Sequence, residues 1–503
     1  MKEKKSGGLL DWIERIGNKI PDPFVMFLGL AIAIVIISAI CANLGVQVIN
    51  PVTQKVVPVK NLLSPDGVIF MLKDMVRNFT GFAPLGLVLV MTLGIGLAEH
   101  TGMLSALMRA TILSINASPT WIIFFMFVVG VCGNTASDAA IVVIPSICAF
   151  VFLTMGRHPL AGIAVGFAAT AGGFNANLMI NGTDPLLGGI STEAIKSVAP
   201  GYVVPVLANW YFMAMSTILL AIVGTFVTTK IVEPRLGKYH GSVHVSHEQV
   251  TPEERAGLKK SALWTGIYLL LVGLLVLPPD SFMRNAQTKS LMNSPFLDSV
   301  IPLIFLFFVV AGVGYAKEVG KVKTIADVPK YMAIAIKEMS SYIVLVFVIA
   351  QFISYFNWSN LGLVLAVNGA DMLKNMNLTG TPLFVMFIIL CSVVNIFIGS
   401  GSAKWALLAP IFVPMFYMLG YTPELTQGLY RVGDSATNII SPLFPYLPIV
   451  LGYVRKYDEK SGIGTVISVM MPYSMWFLIS WIIMTIAWIA LDIPIGPGIN
   501  TYL

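Results

Sequence analysis

The chain has 503 residues, with 31 Lys and Arg against 25 Asp and Glu, so its net charge is +6 although only 11% of its residues are charged. Soluble chains carry about 25% charged residues, and a mean hydropathy of +0.83 places most of this one in a bilayer. The basic residues sit mostly in loops beside apolar runs, which is membrane topology and argues against nucleic acid as a partner.

Met1 to Pro21 is charged and has no cleavable apolar core, so no signal peptide is expected. Trp12, Ile13, Ile16 and Ile20 share one helical face there, a pattern for a short amphipathic helix on the cytoplasmic surface. The uncharged run 24–47 is long enough for a bilayer core of roughly 30 Å. Further spans are expected at 82–105, 158–190, 203–230, 261–278, 299–316, 340–367, 424–452 and 463–491. These runs are too long and continuous for β-barrel strands, so the fold class is an all-α polytopic membrane protein. The four cysteines, Cys41, Cys132, Cys148 and Cys391, lie in apolar stretches without metal-ligand spacing and read as small buried hydrophobes.

Two further apolar stretches, 119–156 and 382–420, are interrupted midway by Gly133-Asn134-Thr135-Ala136-Ser137-Asp138 and by Gly399-Ser400-Gly401-Ser402. Each arm has about 14 to 18 residues, or roughly 21–27 Å of helix, which is short for a full crossing. Short arms around a polar tip predict re-entrant hairpins, with tips that line a cavity because bare backbone is not tolerated in lipid. With the N-terminus inside, about nine crossings place three basic loops inside as well: Lys230 to Lys260, Lys317 to Lys330, and Arg455 to Lys460. Counting a hairpin as two crossings leaves that parity unchanged, so arm length and tip polarity carry the decision.

The arrangement occurs twice. Prolines Pro119 and Pro159 bracket the first hairpin and Pro382 and Pro423 the second, separated by 40 and 41 positions. Each hairpin precedes a helix with mid-span polar residues: Gly172, Gly173, Asn175 and Asn177, then Gly433, Asp434, Thr437 and Asn438. The first half starts from inside and the second from outside, which predicts inverted repeats with broken helices at the midplane. Residues 1–230 form the first repeat, 231–298 a cytoplasmic loop and connecting span, and 299–503 the inverted second repeat.

Asp138, Asp184, Lys404, Arg431 and Asp434 are ionisable residues at membrane depth, where charge is costly and marks a substrate or ion path. Arg431 and Asp434 are spaced i, i+3 and can pair, either simply neutralising each other or freeing the Arg431 fork for a substrate carboxylate. Asn134, Thr135 and Ser137 facing Gly172, Asn175 and Asn177 are candidates for a hard-cation site. Ser400 and Ser402 facing Asp434, Thr437 and Asn438 are its inverted counterpart. The plainer reading of both sets is tip capping and interhelical hydrogen bonding. Trp405, just beyond a tip, stacks either on an aromatic substrate or within the hairpin.

The motifs Asn177-Leu178-Met179-Ile180, Thr183-Asp184-Pro185-Leu186-Leu187 and Gly399 to Trp405 (GSGSAKW) resemble those of the aminobenzoyl-glutamate transporter family. So do Ala409 to Pro414 and Pro494-Ile495-Gly496-Pro497-Gly498, and the likeness spans nearly the whole chain. The resemblance implies a dimer with nine spans and two hairpins per protomer in a bacterial inner membrane. It implies transport of p-aminobenzoyl-glutamate, a folate breakdown product, or export of p-aminobenzoate-like antimetabolites such as sulfonamides. Asp184, Ser402, Trp405, Pro423, Arg431 and Asp434 match positions that look functional in the family.

The reading is an ion-coupled carrier for a small aromatic amide or acid, driven by Na+ or H+ and needing no cofactor. Asp184 and Asp434 are then candidates for ion coupling or proton relay. Rivals are a carrier for other carboxylates or amino acids, and a channel, against which the paired helix breaks argue. An enzyme is not expected, since no metal-binding His pair or Ser/His/Asp set lies at membrane depth.

Overall fold

The computed structural model describes residues 21–49, 54–114, 117–136, 139–239, 250–291 and 294–503. The amphipathic face expected at Trp12 to Ile20 lies outside the described residues, as do Ser137 and Asp138.

Helix α1 (Pro23–Asn43) opens on a proline behind Asp22, whose carboxylate accepts the Phe24 N–H at 2.9 Å. Proline suits the first turn because the N–H it lacks would be unpaired there, and the preceding acid caps a neighbour. A ribbon of β1 (Gln47–Ile49) and antiparallel β2 (Val56–Pro58), with Val48 opposite Val57, leads to the short helices α2 (Pro65–Lys73) and α3 (Met75–Thr80). The single span expected at 82–105 is instead α4 (Ala83–His100) followed by α5 (Met103–Leu113). Gly102 between them sits at φ +84°, a left-handed conformation that ends one helix and redirects the chain.

The first hairpin is α6 (Pro119–Cys132), a 3-10 turn at Gly133–Ala136 and α7 (Ala139–Thr154). The first broken span follows as α8 (Pro159–Phe167), a π turn at Ala168–Gly172, a non-helical stretch and α9 (Thr183–Ile195). Helix α10 (Trp210–Val227) continues through a π turn to Leu236. Helix α11 (Pro252–Val276) starts earlier than the expected 261, because Thr251 and Glu254 form a capping box inside the charged loop.

The second half repeats this order. It runs α12 (Val300–Glu318), α13 (Val328–Glu338), α14 (Ser340–Trp358) and α15 (Leu361–Asn375), then hairpin arms α16 (Thr381–Phe397) and α17 (Gly401–Met418). The second broken span is α18 (Pro423–Asn438) and α19 (Leu447–Arg455), and α20 (Ile463–Ala490) closes the chain. The expected span 340–367 divides after Trp358 just as 82–105 does, here through Asn360 at φ +64°. Seven continuous helices are long and apolar enough to cross a membrane. With the two broken spans they supply the expected nine crossings among the described residues.

The halves interlock. Helix α1 packs on α14 of the second half, and α12 packs on α4 of the first. The later part of each broken span crosses over too, α9 onto hairpin arm α17 and α19 onto hairpin arm α7. Helices α8 and α18 are buried along their whole length, while α11 leaves Leu269, Leu270, Leu271 and Leu274 exposed on the outside of the chain. Close approach explains the glycine at 433: a Cβ there would sit 2.5 Å from the Ile388 carbonyl oxygen, so α18 lies almost backbone to backbone on α16.

Candidate functional site

Helix α18 carries Glu424, Gln427, Arg431, Asp434, Ser435, Thr437 and Asn438, yet every residue in it is buried. Such a helix is stable only if its polar groups find partners on its neighbours, and each neighbour supplies some.

Lys404, from the first turns of α17, places its ammonium 2.6 Å from Asp434 Oδ1, with the two side chains 0% and 2% exposed. It also donates to Asn395 Oδ1 of α16. The Asn395 amide nitrogen lies 2.5 Å from the Asp434 carbonyl oxygen and 2.9 Å from both Thr437 Oγ1 and Asn438 Oδ1. The other Asp434 oxygen accepts from Asn175 Nδ2 at 2.7 Å, and the Asn175 N–H donates to Ser435 Oγ at 3.0 Å. Asn438 Nδ2 reaches back to the Ala171 carbonyl oxygen at 3.1 Å. The helix break of the first half is thus fastened to the charged helix of the second.

Arg431 pairs elsewhere. Its Nη1 lies 2.6 Å from Asp184 Oδ1 in the first turn of α9, and the Arg431 side chain is 1% exposed. Asp184 Oδ2 accepts the Asn181 N–H at 2.8 Å. Arg431 Nε and Nη1 are both buried without a hydrogen-bond partner, so Asp184 holds the guanidinium by charge and part of its donor fork remains unused.

A cavity of about 300 Å³ lies between the two helix breaks and the second hairpin tip. Phe174, Asn175, Thr183 and Leu187 of the first half line it, with Ser400, Gly401, Ser402, Tyr430, Asp434 and Asn438 of the second. The Tyr430 hydroxyl stands 2.5 Å from the Gly401 carbonyl oxygen and 3.1 Å from Asp434 Oδ1. A separate cleft of about 560 Å³, lined by Asp22, Phe24, Ser340 and Tyr342, meets the same Ser400 and Ser402. The tip is therefore the partition between the two spaces.

Comparison with known proteins decides the kinship. The profile of the AbgT transporter family matches residues 8–503. The chain belongs to the AbgT transporter family. It is 42% identical over 495 residues to the p-aminobenzoyl-glutamate transport protein of Escherichia coli K12, covering 98% of this chain and 97% of that one. Two solved structures of the AbgT family superpose with a TM-score of 0.91 each. One is the YdaH transporter of Alcanivorax borkumensis, 38% identical, covering 95% of this chain and all of that one. The other is MtrF of Neisseria gonorrhoeae, described as illuminating a class of antimetabolite efflux pumps, 40% identical and covering 98% of this chain and all of that one. This AbgT chain is a multi-pass membrane transporter.

The structure brings Ser400, Ser402, Asp434 and Asn438 together at the cavity, with Thr437 tied behind them to Asn395. It corrects the Arg431–Asp434 pairing: the two charges share a helix but separate, to Asp184 and Lys404. Tertiary partners across tight helix interfaces outweigh the weak i, i+3 attraction. Trp405 does not line the cavity. It is buried, its ring stacks on Tyr430 at 4.6 Å, and its Nε1 donates to Ser191 Oγ at 3.0 Å, so Tyr430 is the aromatic wall and Trp405 its backing. Pro423 also lies off the cavity, as the first residue of α18, and so do Arg431 and Asp184, which pair with each other outside its lining.

The first-half set divides. Asn134 Nδ2 points to the Gly173 carbonyl oxygen at 3.4 Å and Asn177 Nδ2 donates to Thr135 Oγ1 at 3.2 Å, forming one small cluster. Asn175 instead serves Asp434, and a Cβ on Gly172 would meet the Phe477 ring at 3.2 Å, so neither belongs to that cluster. Asn395 and Tyr430 escaped the sequence reading. A lone amide in the apolar run Leu390 to Phe397 was the available signal for the first.

Proposed function

We propose that this protein carries p-aminobenzoyl-glutamate or p-aminobenzoate-like compounds across a bacterial inner membrane, as a homodimer with its N-terminus in the cytoplasm. Transport is coupled to a proton or sodium gradient. The observation that carries the reading is Arg431, buried between the halves and held by Asp184 through one nitrogen while Nε has no partner. An incoming carboxylate regains its lost hydration from that guanidinium, displacing or sharing Asp184. Since Asp184 belongs to the first half and Arg431 to the second, substrate binding alters a bond that joins them. The cavity volume of about 300 Å³ is at the small end of ligand pockets, and Tyr430 offers an aromatic face to a benzoyl ring.

The Lys404–Asp434 pair with Asn395 is the candidate site for sodium coupling in this reading. Its oxygens suit a hard cation, and its ammonium already stands where one would bind. The cleft beside Asp22 and Ser340 opens at the helix ends that the basic-loop pattern places in the cytoplasm. Uptake of labelled p-aminobenzoyl-glutamate into proteoliposomes, with sodium and proton gradients imposed separately, tests the proposal. Concentrative movement under one gradient is expected. Equilibration at rates far above carrier turnover, with no concentration under either gradient, would mean a channel.

A further inference from the structure

Glu424 is a buried acid that the site described above leaves unused. It lies in the first turn of α18, at the opposite end of the broken span from the basic loop 455–460, and is 2% exposed. Tyr202, on the connector between α9 and α10, donates its hydroxyl to Glu424 Oε2 at 2.9 Å. Burial and then the adjoining carboxyl push that phenol well above its ordinary range, so it remains a donor. Among the described residues no Lys, Arg or His forms an ion pair with Glu424.

Among the described residues, the other elements packed on α18 bring no free cation either. Helix α9 contributes Asp184, paired with Arg431, and Glu193, paired with Lys196. Helix α16 contributes Cys391, α20 contributes Tyr473, and α17 contributes Tyr417 and the Asp434-bound Lys404. Tyr417 packs edge-on against Tyr202 with ring centroids 6.0 Å apart.

Glu424, Gln427 and Arg431 share one face of α18, and polar groups continue along it. The Glu424 carbonyl oxygen accepts from Asn209 Nδ2 at 2.7 Å, and Asn209 Oδ1 accepts from Gln427 Nε2 at 2.9 Å. Gln427 Oε1 then accepts from Ser191 Oγ at 2.7 Å, on the helix that bears Asp184. This seam lies between a helix of each half, where the halves must shift if access alternates.

We propose that Glu424 is the proton-binding group of the transport cycle. When the outer end of the seam opens, a proton from water binds one carboxylate oxygen while Tyr202 keeps its bond to the other. The seam closes over the neutral acid, because an ionised carboxylate sealed there without a cation is too costly. After the halves shift, the seam opens toward the opposite face and the proton leaves to water there, regenerating the carboxylate, so one proton crosses in each cycle. The inference rests on the carrier reading for its cycle but not on the identity of the substrate.

Two measurements test it. Infrared difference spectra of the purified protein, recorded as pH is raised, should show a protonated-carboxyl band that disappears in Glu424→Gln. A band unchanged in that variant, or none titrating in the wild type, overturns the assignment without reference to any substrate. In proteoliposomes, Glu424→Gln should keep p-aminobenzoyl-glutamate counterflow but lose at least about tenfold of the accumulation driven by a pH gradient. Counterflow also confirms that the variant is folded. Tyr202→Phe should move the alkaline limb of the uptake profile upward by about one pH unit, the worth of a lost hydrogen bond to a charged group. Wild-type accumulation by Glu424→Gln under a pH gradient overturns the proposal, whereas absent counterflow in the wild type strikes only the substrate reading.

Discussion

Lys404 and Asp434 touch directly at 2.6 Å with both side chains buried, so each is tolerable only while the other is charged. Asp434→Asn strands an ammonium in the protein interior and should lower stability by about 3–5 kcal/mol. Lys404→Gln combined with Asp434→Asn leaves two neutral amides that can bond each other and Asn395. The double variant should recover most of the melting temperature lost by the single one while still failing to accumulate substrate. A single Asp434→Asn variant that melts like the wild type would show that the pair contributes nothing to holding α17 on α18. Sequence named both residues as charges at membrane depth but not as partners. Side-chain partners across helices depend on rotation and depth, which hydropathy does not record.

Elements were more legible than residues. Hairpin arms, their polar tips and the paired prolines stand out because lipid tolerates an interrupted helix only beside protein or water. The helix ends at His100 and Trp358 did not, because the polar breaks Glu99-His100-Thr101 and Asn357 to Asn360 are short, lack proline and resemble the point where a span leaves the bilayer. The hairpins make a direct prediction. In a cysteine-free background, a cysteine near Arg157 should label only from the cytoplasm and one near Tyr421 only from outside. Labelling of either from the opposite face contradicts inverted hairpins. The contact of α18 with α16 makes another. Gly433→Val pushes a side chain into the Ile388 carbonyl, and overpacking of this kind should cost about 1–3 kcal/mol, read as a lower melting temperature. An unchanged melting temperature would mean that the two helices separate without penalty.

Across the whole molecule, the two halves meet through the polar groups of α9, α18 and the helix breaks, and each side of that meeting depends on the other. Asp184 and Arg431 lie far apart in sequence, and only the interlocked packing makes them neighbours. That is why the family and the spans could be read from sequence, while the bond between the halves could not. If Arg431 receives a substrate carboxylate, its planar fork matters beyond its charge, so Arg431→Lys should weaken p-aminobenzoyl-glutamate binding about ten- to a hundredfold. If Arg431 only neutralises Asp184, removing both charges should repair what removing either one breaks. Equilibrium binding of labelled p-aminobenzoyl-glutamate to Arg431→Ala, Asp184→Ala and the double variant separates the two cases. The double variant should bind as weakly as Arg431→Ala; wild-type affinity in the double variant would contradict a direct role for Arg431 in holding substrate.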